Sequence, residues 1–477
     1  MTDSDVPIRK RGAFLCLTLC LALVPIGVAR AEVTRVVVKS AGPMGVFEGR
    51  EYVWVTAMME GTVARGSGEA GRYRVPVVLM YPDRNPNGFG FVDVVNSADF
   101  TTYKEGEAPA GKRSIYYVGD IIFSDSLRRE GFTYLAVQWA RMVTEALGAD
   151  YGVIDNGLDG YEIVKDAARF LREPSKFEGA VPFRPKAVGR VIGFGQSQTA
   201  ALLRELVRSG QNREKGGALI FQGILAGVGA GMCTRLNNDE TPGPGPGPTN
   251  PTFQERVPCG GPLPEDGKYI AIESESDIGT QPGRGLFGGY LARHQTPSYR
   301  QYELAGVAHI PPDIIDMRLA GATRQNPVSF RPVFKAMLRN LVEWIISGTA
   351  PPDSRYRYIE GSVDREGSFQ FATDADGNVK AGLRLPHMPT VLGSGERVGA
   401  PLGVYRGLDP DFLKAFNLFA WIGGTFAPFS AQELAARYPS HEDYVQLVSK
   451  AAASLLADRF ILQEDYDAYI QAAKRWR

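Results

Sequence analysis

The run Arg190-Val191-Ile192-Gly193-Phe194-Gly195-Gln196-Ser197-Gln198-Thr199-Ala200 restricts this chain more than any other stretch. A β-branched and aromatic segment arrives at Gly-x-Ser, and an apolar helical pattern (Ala200, Leu202, Leu203, Leu206, Val207) starts at once. Strand, sharp turn and helix in that order lift a serine hydroxyl clear of the backbone and set it at the positive end of a helix. Most serines in front of a helix are N-caps. Ser197 becomes a nucleophile only if a base and an orienting acid stand beside it.

The wider pattern supplies a frame for that turn. Apolar, β-rich runs are expected as strands at 34–39, 75–80, 91–96, 133–138, 190–194, 222–226, 269–273 and 299–304. Several are almost wholly apolar, as strands buried on both faces of a parallel sheet are. Helical patterns lie between and after them, at 161–172 and 332–347 among others. Such alternation predicts an α/β fold with a mostly parallel central sheet and helices on both faces. Two segments break the rhythm. The stretch 227–267 contains Thr241-Pro-Gly-Pro-Gly-Pro-Gly-Pro-Thr249, which can be neither helix nor central strand, and is expected as an insertion before the penultimate strand. From 349 to 477 turns lead to an aromatic stretch (Phe412, Phe416, Phe419, Trp421, Phe426, Phe429) and two closing helices, read as a carboxy-terminal extension packed on a core spanning 32–348.

Bulk properties exclude more than they assign. The 477 residues carry 53 basic and 53 acidic side chains, so no electrostatic footprint for nucleic acid exists. Arg9-Lys10-Arg11, the apolar run 12–28 and Ala29-Arg30-Ala31 together read as a signal peptide over 1–31, with export to the periplasm or beyond and no stable membrane anchor after cleavage. That run falls short of the ~20 residues a membrane span needs. Beyond it only Cys233 and Cys259 remain, a plausible disulfide flanking the insertion. No Cys/His cluster has metal spacing, and no cofactor is implied.

Four histidines are candidates for the base: His294, His309, His387 and His441. A serine-first triad continues with Asp or Glu and ends with His after the last strand. His309, in Leu304-Ala-Gly-Val-Ala-His309, has that place. The acid is expected in Ser274-Glu275-Ser276-Asp277 after the penultimate strand, with Asp277 favoured and Glu275 the alternative. The oxyanion hole needs two backbone donors. Gln198 is the first, and the loop at Asn96-Ser97 the expected second. Two other motifs fail: Gly193-x-Gly195 lacks the third glycine of a dinucleotide site, and Asp374-x-Asp376-x-Asn378 has Val379 where a calcium loop needs glycine.

Taken together, the elbow 192–198, Ser274-Glu-Ser-Asp277, Gly306-Val-Ala-His309, Asp376-Gly-Asn-Val-Lys-Ala-Gly-Leu-Arg-Leu-Pro-His387 and Arg437-Tyr-Pro-Ser-His-Glu-Asp-Tyr444 resemble a bacterial α/β-hydrolase-domain family of mostly uncharacterised proteins. The resemblance runs from about residue 34 to the end. It implies an α/β-hydrolase fold with Ser197 as nucleophile and His309 as base. Thr199 stands where that pattern often has glycine, so it is expected to crowd or widen the elbow. His387 is a second residue expected either to line the pocket or to anchor the tail. The function expected is hydrolysis of a small-molecule carboxylic ester through an acyl-enzyme. The alternatives are an acyltransferase on the same triad and a non-catalytic binding protein.

Overall fold

A computed structural model describes residues 32–64, 70–96, 122–123, 125–141, 144–145, 148–155, 160–234, 256–259, 263–279, 288–314, 324–354, 357–365, 369–408 and 423–476. The expected signal peptide, the Pro-Gly run 241–249 and Phe412–Trp421 lie outside the described residues.

The strands up to Leu304, in chain order, are β1 (Glu32–Phe47), β2 (Arg50–Ala64), β3 (Ala70–Pro82), β4 (Phe89–Val94), β5 (Thr133–Val137), β6 (Val153–Ile154), β7 (Phe177–Glu178), β8 (Arg190–Gln196), β9 (Gly223–Gly227), β10 (Met232–Thr234), β11 (Arg256–Pro258), β12 (Lys268–Ser274) and β13 (Tyr299–Leu304). Eleven of them form one sheet in the order β13-β12-β9-β8-β4-β5-β3-β2-β1-β7, with β6 beside β3. From β13 to β5 every pairing is parallel. The other half is antiparallel along β5-β3-β2-β1. The expected parallel sheet is therefore extended by an antiparallel meander, and β2 is its unforeseen member. Tyr52 to Met59 of β2 are all buried, so polarity does not alternate along the strand and gives no period-two signal.

Helices cover both faces, as register shows. The helices used below are α1 (Gly160–Arg172), α2 (Gln198–Arg208), α3 (Glu275–Ile278), α4 (Arg331–Ser347), α5 (Ala431–Arg437), α6 (His441–Ala457) and α7 (Gln463–Arg475). Gly90 pairs with Val191, and side chains alternate along a strand, so Gly90, Gly193 and Gly195 share a face. A methyl on Gly90 would strike Leu171 of α1, and one on Gly195 would strike α2. Gly223 and Gly227 are opposite Ile192 and Gln196 and point the other way, where Leu341, Ile345 and Phe334 of α4 fill the space.

Because β4, β5, β8, β9, β12 and β13 run parallel, their carboxyl ends share one edge of the sheet. The chain moves from β4 to β5 on one side and later to β8 on the other, making the β4–β8 crevice a switch point where α/β sheets bind ligands. The tail joins the same core: Ala452, Leu455, Phe460 and Ile461 belong to the main apolar cluster, and Lys335 of α4 pairs with Glu464 and Asp465. Arg293 forks onto the wholly buried Glu303 of β13 at 2.6 and 2.7 Å, and the same carboxylate accepts the Ile359 amide at 2.7 Å. Arg293→Met strips that carboxylate of its counter-charge. Thermal or urea unfolding should show a loss of about 3–5 kcal/mol.

Candidate active site

β8 ends in a turn that only a particular set of side chains permits. A Cβ on Gly195 would lie 2.5 Å from the Thr199 carbonyl carbon and 2.6 Å from its oxygen, so glycine is required for α2 to start directly over the strand. Ser197 pays for this geometry with φ 54° and ψ −112°, a region costing about 1–3 kcal/mol for a side-chain-bearing residue. Its N–H donates to Gly227 of β9 at 2.8 Å, and its carbonyl accepts from Ala201 at 3.1 Å. Thr199 neither crowds nor widens the elbow. Its hydroxyl accepts from the Gln196 N–H at 2.9 Å and donates to the Gln196 carbonyl at 3.1 Å. Where a glycine would give space, this threonine gives two bonds.

Ser197 is half-buried, and its Oγ lies 3.0 Å from Nε2 of His309. Nδ1 of that imidazole lies 2.7 Å from Asp277 Oδ1. Three side chains from the ends of β8, β12 and β13 thus form one hydrogen-bonded chain. Asp277 is 0 % exposed and His309 4 %. Asp277 Oδ2 accepts from the Ser274 amide at 3.0 Å and its hydroxyl at 2.5 Å, which fixes the carboxylate within α3.

Glu275, the alternative acid, is occupied elsewhere. One oxygen accepts from Gly306 N–H at 2.8 Å and the other from Gly407 N–H at 2.9 Å. Asn326 completes the opposite half, its amide donating to the carbonyls of Gly306 and Arg406 at 3.0 Å each. Two buried side chains therefore clamp the His309 loop to the segment 406–407 of the tail. Burial is the main force on the Glu275 carboxyl and pushes it up to about 7 from the ordinary 4.5, against the pull of its two amides.

Gln198 is the first residue of α2, where helix amides point out of the helix end. Asn96 follows β4, and its side chain donates to the Gln196 carbonyl at 3.4 Å, bracing the elbow; Ser97 lies outside the described residues. The sulfurs of Cys233 and Cys259 stand at bonding distance, with Cα atoms 5.6 Å apart, at the base of the insertion. His294 stacks on Tyr299 at 3.8 Å and bonds the Ala292 carbonyl; burial pushes it down to about 4. His441 reaches the Ala473 carbonyl and ties α6 to α7. His387 packs against Tyr405, and burial pushes it down to about 3. Among the described residues no group of His, Cys, Asp and Glu could hold a metal ion. None of their helices is long and apolar enough to cross a membrane. The Asp374–Asn378 segment is a turn: Asp374 accepts from the amides of Asp376 and Asn378, and Asp376 is held by Arg437. Sequence reasoning passed over Asn326 and the bonding of Thr199; no motif marks a lone buried asparagine.

A family model described as an alpha/beta hydrolase domain matches residues 123–471. No curated protein matches the chain. Among solved structures, the fold is similar to esterase Est22 (12% identity, 36% of this chain and 44% of that one, TM-score 0.22). It is similar also to brefeldin A esterase, a bacterial homologue of human hormone-sensitive lipase (10%, 53% and 65%, 0.27), and to a CE15 glucuronoyl esterase from Teredinibacter turnerae T7901 (12%, 59% and 76%, 0.30). The chain thus spans under half the length of Est22, and at these scores none of the three bears on mechanism.

Two outcomes follow from the packing. Thr199→Val keeps the volume but strips both bonds from the buried Gln196 peptide. It should lower stability by about 1–3 kcal/mol, while Thr199→Ser should retain most of it in the same unfolding assay. The folded chain holds the Glu275 proton more tightly than the unfolded chain. That stabilisation is complete below pH 4.5 and is lost as pH rises through about 7. A difference of this size corresponds to about 3 kcal/mol. Melting temperature measured against pH should therefore fall less steeply across this window in Glu275→Gln than in the parent.

Proposed function

The chain therefore belongs to the alpha/beta hydrolase domain family, and from that membership we propose that it is a serine hydrolase cleaving a carboxylic ester through an acyl-enzyme. One observation carries the reading: the hydrogen-bonded chain Ser197 Oγ, His309 Nε2, His309 Nδ1, Asp277 Oδ1 at 3.0 and 2.7 Å. In this mechanism Ser197 Oγ attacks the ester carbonyl as His309 Nε2 takes its proton. The buried Asp277 holds the imidazole in the right tautomer and stabilises the cation that forms. The Gln198 amide, with a second donor from the stretch at Asn96, receives the charge on the carbonyl oxygen; each such donor contributes roughly 2.7–4 kcal/mol. The tetrahedral centre collapses, and His309 returns the proton to the departing alcohol. Water, deprotonated by His309, then releases the acid and restores Ser197.

An acyltransferase would run the same first half and deliver the acyl group to an alcohol instead; product analysis with competing alcohols separates the two. A protein that only binds would not react with a fluorophosphonate at Ser197. We further propose export. Its support is the basic, apolar and Ala-x-Ala order of residues 1–31 and the Cys233–Cys259 pair. Material recovered from the periplasm should begin at Glu32.

The main test is turnover of short p-nitrophenyl esters. Ser197→Ala should fold normally and lose activity by about a millionfold, and Asp277→Asn should lose about ten-thousandfold. Ester hydrolysis persisting in Ser197→Ala would sink the assignment.

A further inference from the structure

At the carboxyl end of β5, two strands from Ser197, the protein leaves two buried hydrogen-bond donors with nothing to bond. Gln138 is 2 % exposed and Arg141 8 %. Gln138 Nε2 and Arg141 Nη1 are both shut off from solvent, and neither has a hydrogen-bond partner among the described residues. A lone orphan could be an accident of packing. Two within four residues, at the edge of the sheet where the triad lies, need a physical explanation.

Their surroundings fix them in place. Gln138 Oε1 accepts from the Trp139 and Ala140 amides, at 2.8 Å each, so its carboxamide is folded over the turn and its NH2 cannot rotate into the acceptor position. Trp139 Nε1 donates to the Val95 carbonyl at 2.8 Å and holds that turn against the end of β4. Arg141 uses Nε on Glu145 at 2.8 Å, leaving Nη1 buried. Glu145 is itself 47 % exposed on its side chain, so its charge is largely shared with water. Register sets the distance to the nucleophile. Val137 of β5 pairs with Val94 of β4, whose neighbour Asp93 pairs with Phe194 of β8. Two strand spacings put the end of β5 roughly 10 Å from Ser197.

We infer that Gln138 and Arg141 form a subsite for a carboxylate carried by the substrate, so that the preferred esters are half-esters of dicarboxylic acids or similar acidic esters. Both orphans are donors only, which calls for a ligand group that only accepts. A carboxylate is that group, and its two oxygens can accept from a guanidinium and a carboxamide together. A buried donor without a partner is costly, and a carboxylate that accepts from both removes that cost. The site stands one strand from the β4–β8 switch point of the sheet, within reach of an acyl chain attached to Ser197. Asn96, bonded to the Gln196 carbonyl, lies just past the end of β4, the strand between the two. This subsite rests on the reading of Ser197 as the nucleophile of an ester hydrolase.

The test compares mono-p-nitrophenyl esters of glutarate, adipate and suberate with neutral p-nitrophenyl esters of equal chain length, on the full protein. At least one acidic ester should exceed its neutral match in kcat/KM by roughly tenfold to a hundredfold, the range of a charge-assisted hydrogen bond. That ratio should collapse in Arg141→Met and in Gln138→Leu, and Arg141→Lys should restore part of it. Neutral esters turned over as well as or better than every acidic one would overturn the subsite while leaving ester hydrolysis standing. If no ester is turned over, the ester reading fails, and binding decides the subsite alone. Calorimetry with Ser197→Ala should then show saturable dicarboxylate binding that Ser197→Ala with Arg141→Met loses. No binding to Ser197→Ala overturns it.

Discussion

The near-contact between Gly195 and the Thr199–Ala200 peptide sets the geometry on which the site depends. With 2.5 Å between a would-be Cβ and the Thr199 carbonyl carbon, α2 begins before β8 has moved away from it, and Ser197 is forced into a left-handed conformation between them. Such strain persists only where neighbours over-determine it. Here they do so from three sides. Gly227 of β9 accepts the Ser197 amide, Thr199 grips the Gln196 peptide from the helix, and Asn96 reaches that peptide from β4. Each brace comes from an element already fixed by the sheet, so the serine is aimed by the core and not by its own loop.

A second constraint is how the protein distributes negative charge. Glu273, Glu275 and Asp277 are all buried within five residues, and three ionised carboxylates so close would repel one another strongly. Each has a different task. Glu273 accepts from the Ala230 amide, and burial, then the neighbouring Asp277, push it well above the ordinary carboxylate range. Glu275 spends both oxygens on backbone amides. Asp277 alone meets an imidazole, with two serine donors on its other oxygen.

What the sequence discloses follows from the range of each interaction. The parallel strands were legible because burial on both faces makes them continuous apolar runs, and the elbow because its strand, turn and helix are contiguous. The chain order of Ser197, Asp277 and His309 could be proposed because each follows a recognisable strand. The choice between Asp277 and Glu275 was not legible. Both sit in the same short turn, and their partners lie 32 residues away for one and up to 132 for the other. Thr199 was misjudged for a related reason: side-chain volume can be read from a letter, whereas a hydroxyl's two bonds to the preceding turn require the turn itself. The antiparallel β2 is the harder case: Tyr52–Met59 is buried on both faces like the parallel strands, and by periodicity alone such a run cannot be told from a segment of buried helix.

The clamp made by Glu275 and Asn326 has a consequence in time. The amide of Gly407 and the carbonyl of Arg406 are made some hundred residues after the loop they secure. A ribosome emitting this chain from its amino end therefore releases the serine, the acid and the histidine while the histidine loop still lacks two of its four fastenings. Only when the tail arrives is that loop closed. The last stretch of the chain thus supplies half of that clamp, and a product cut before Arg406 would keep Ser197, Asp277 and His309 without it.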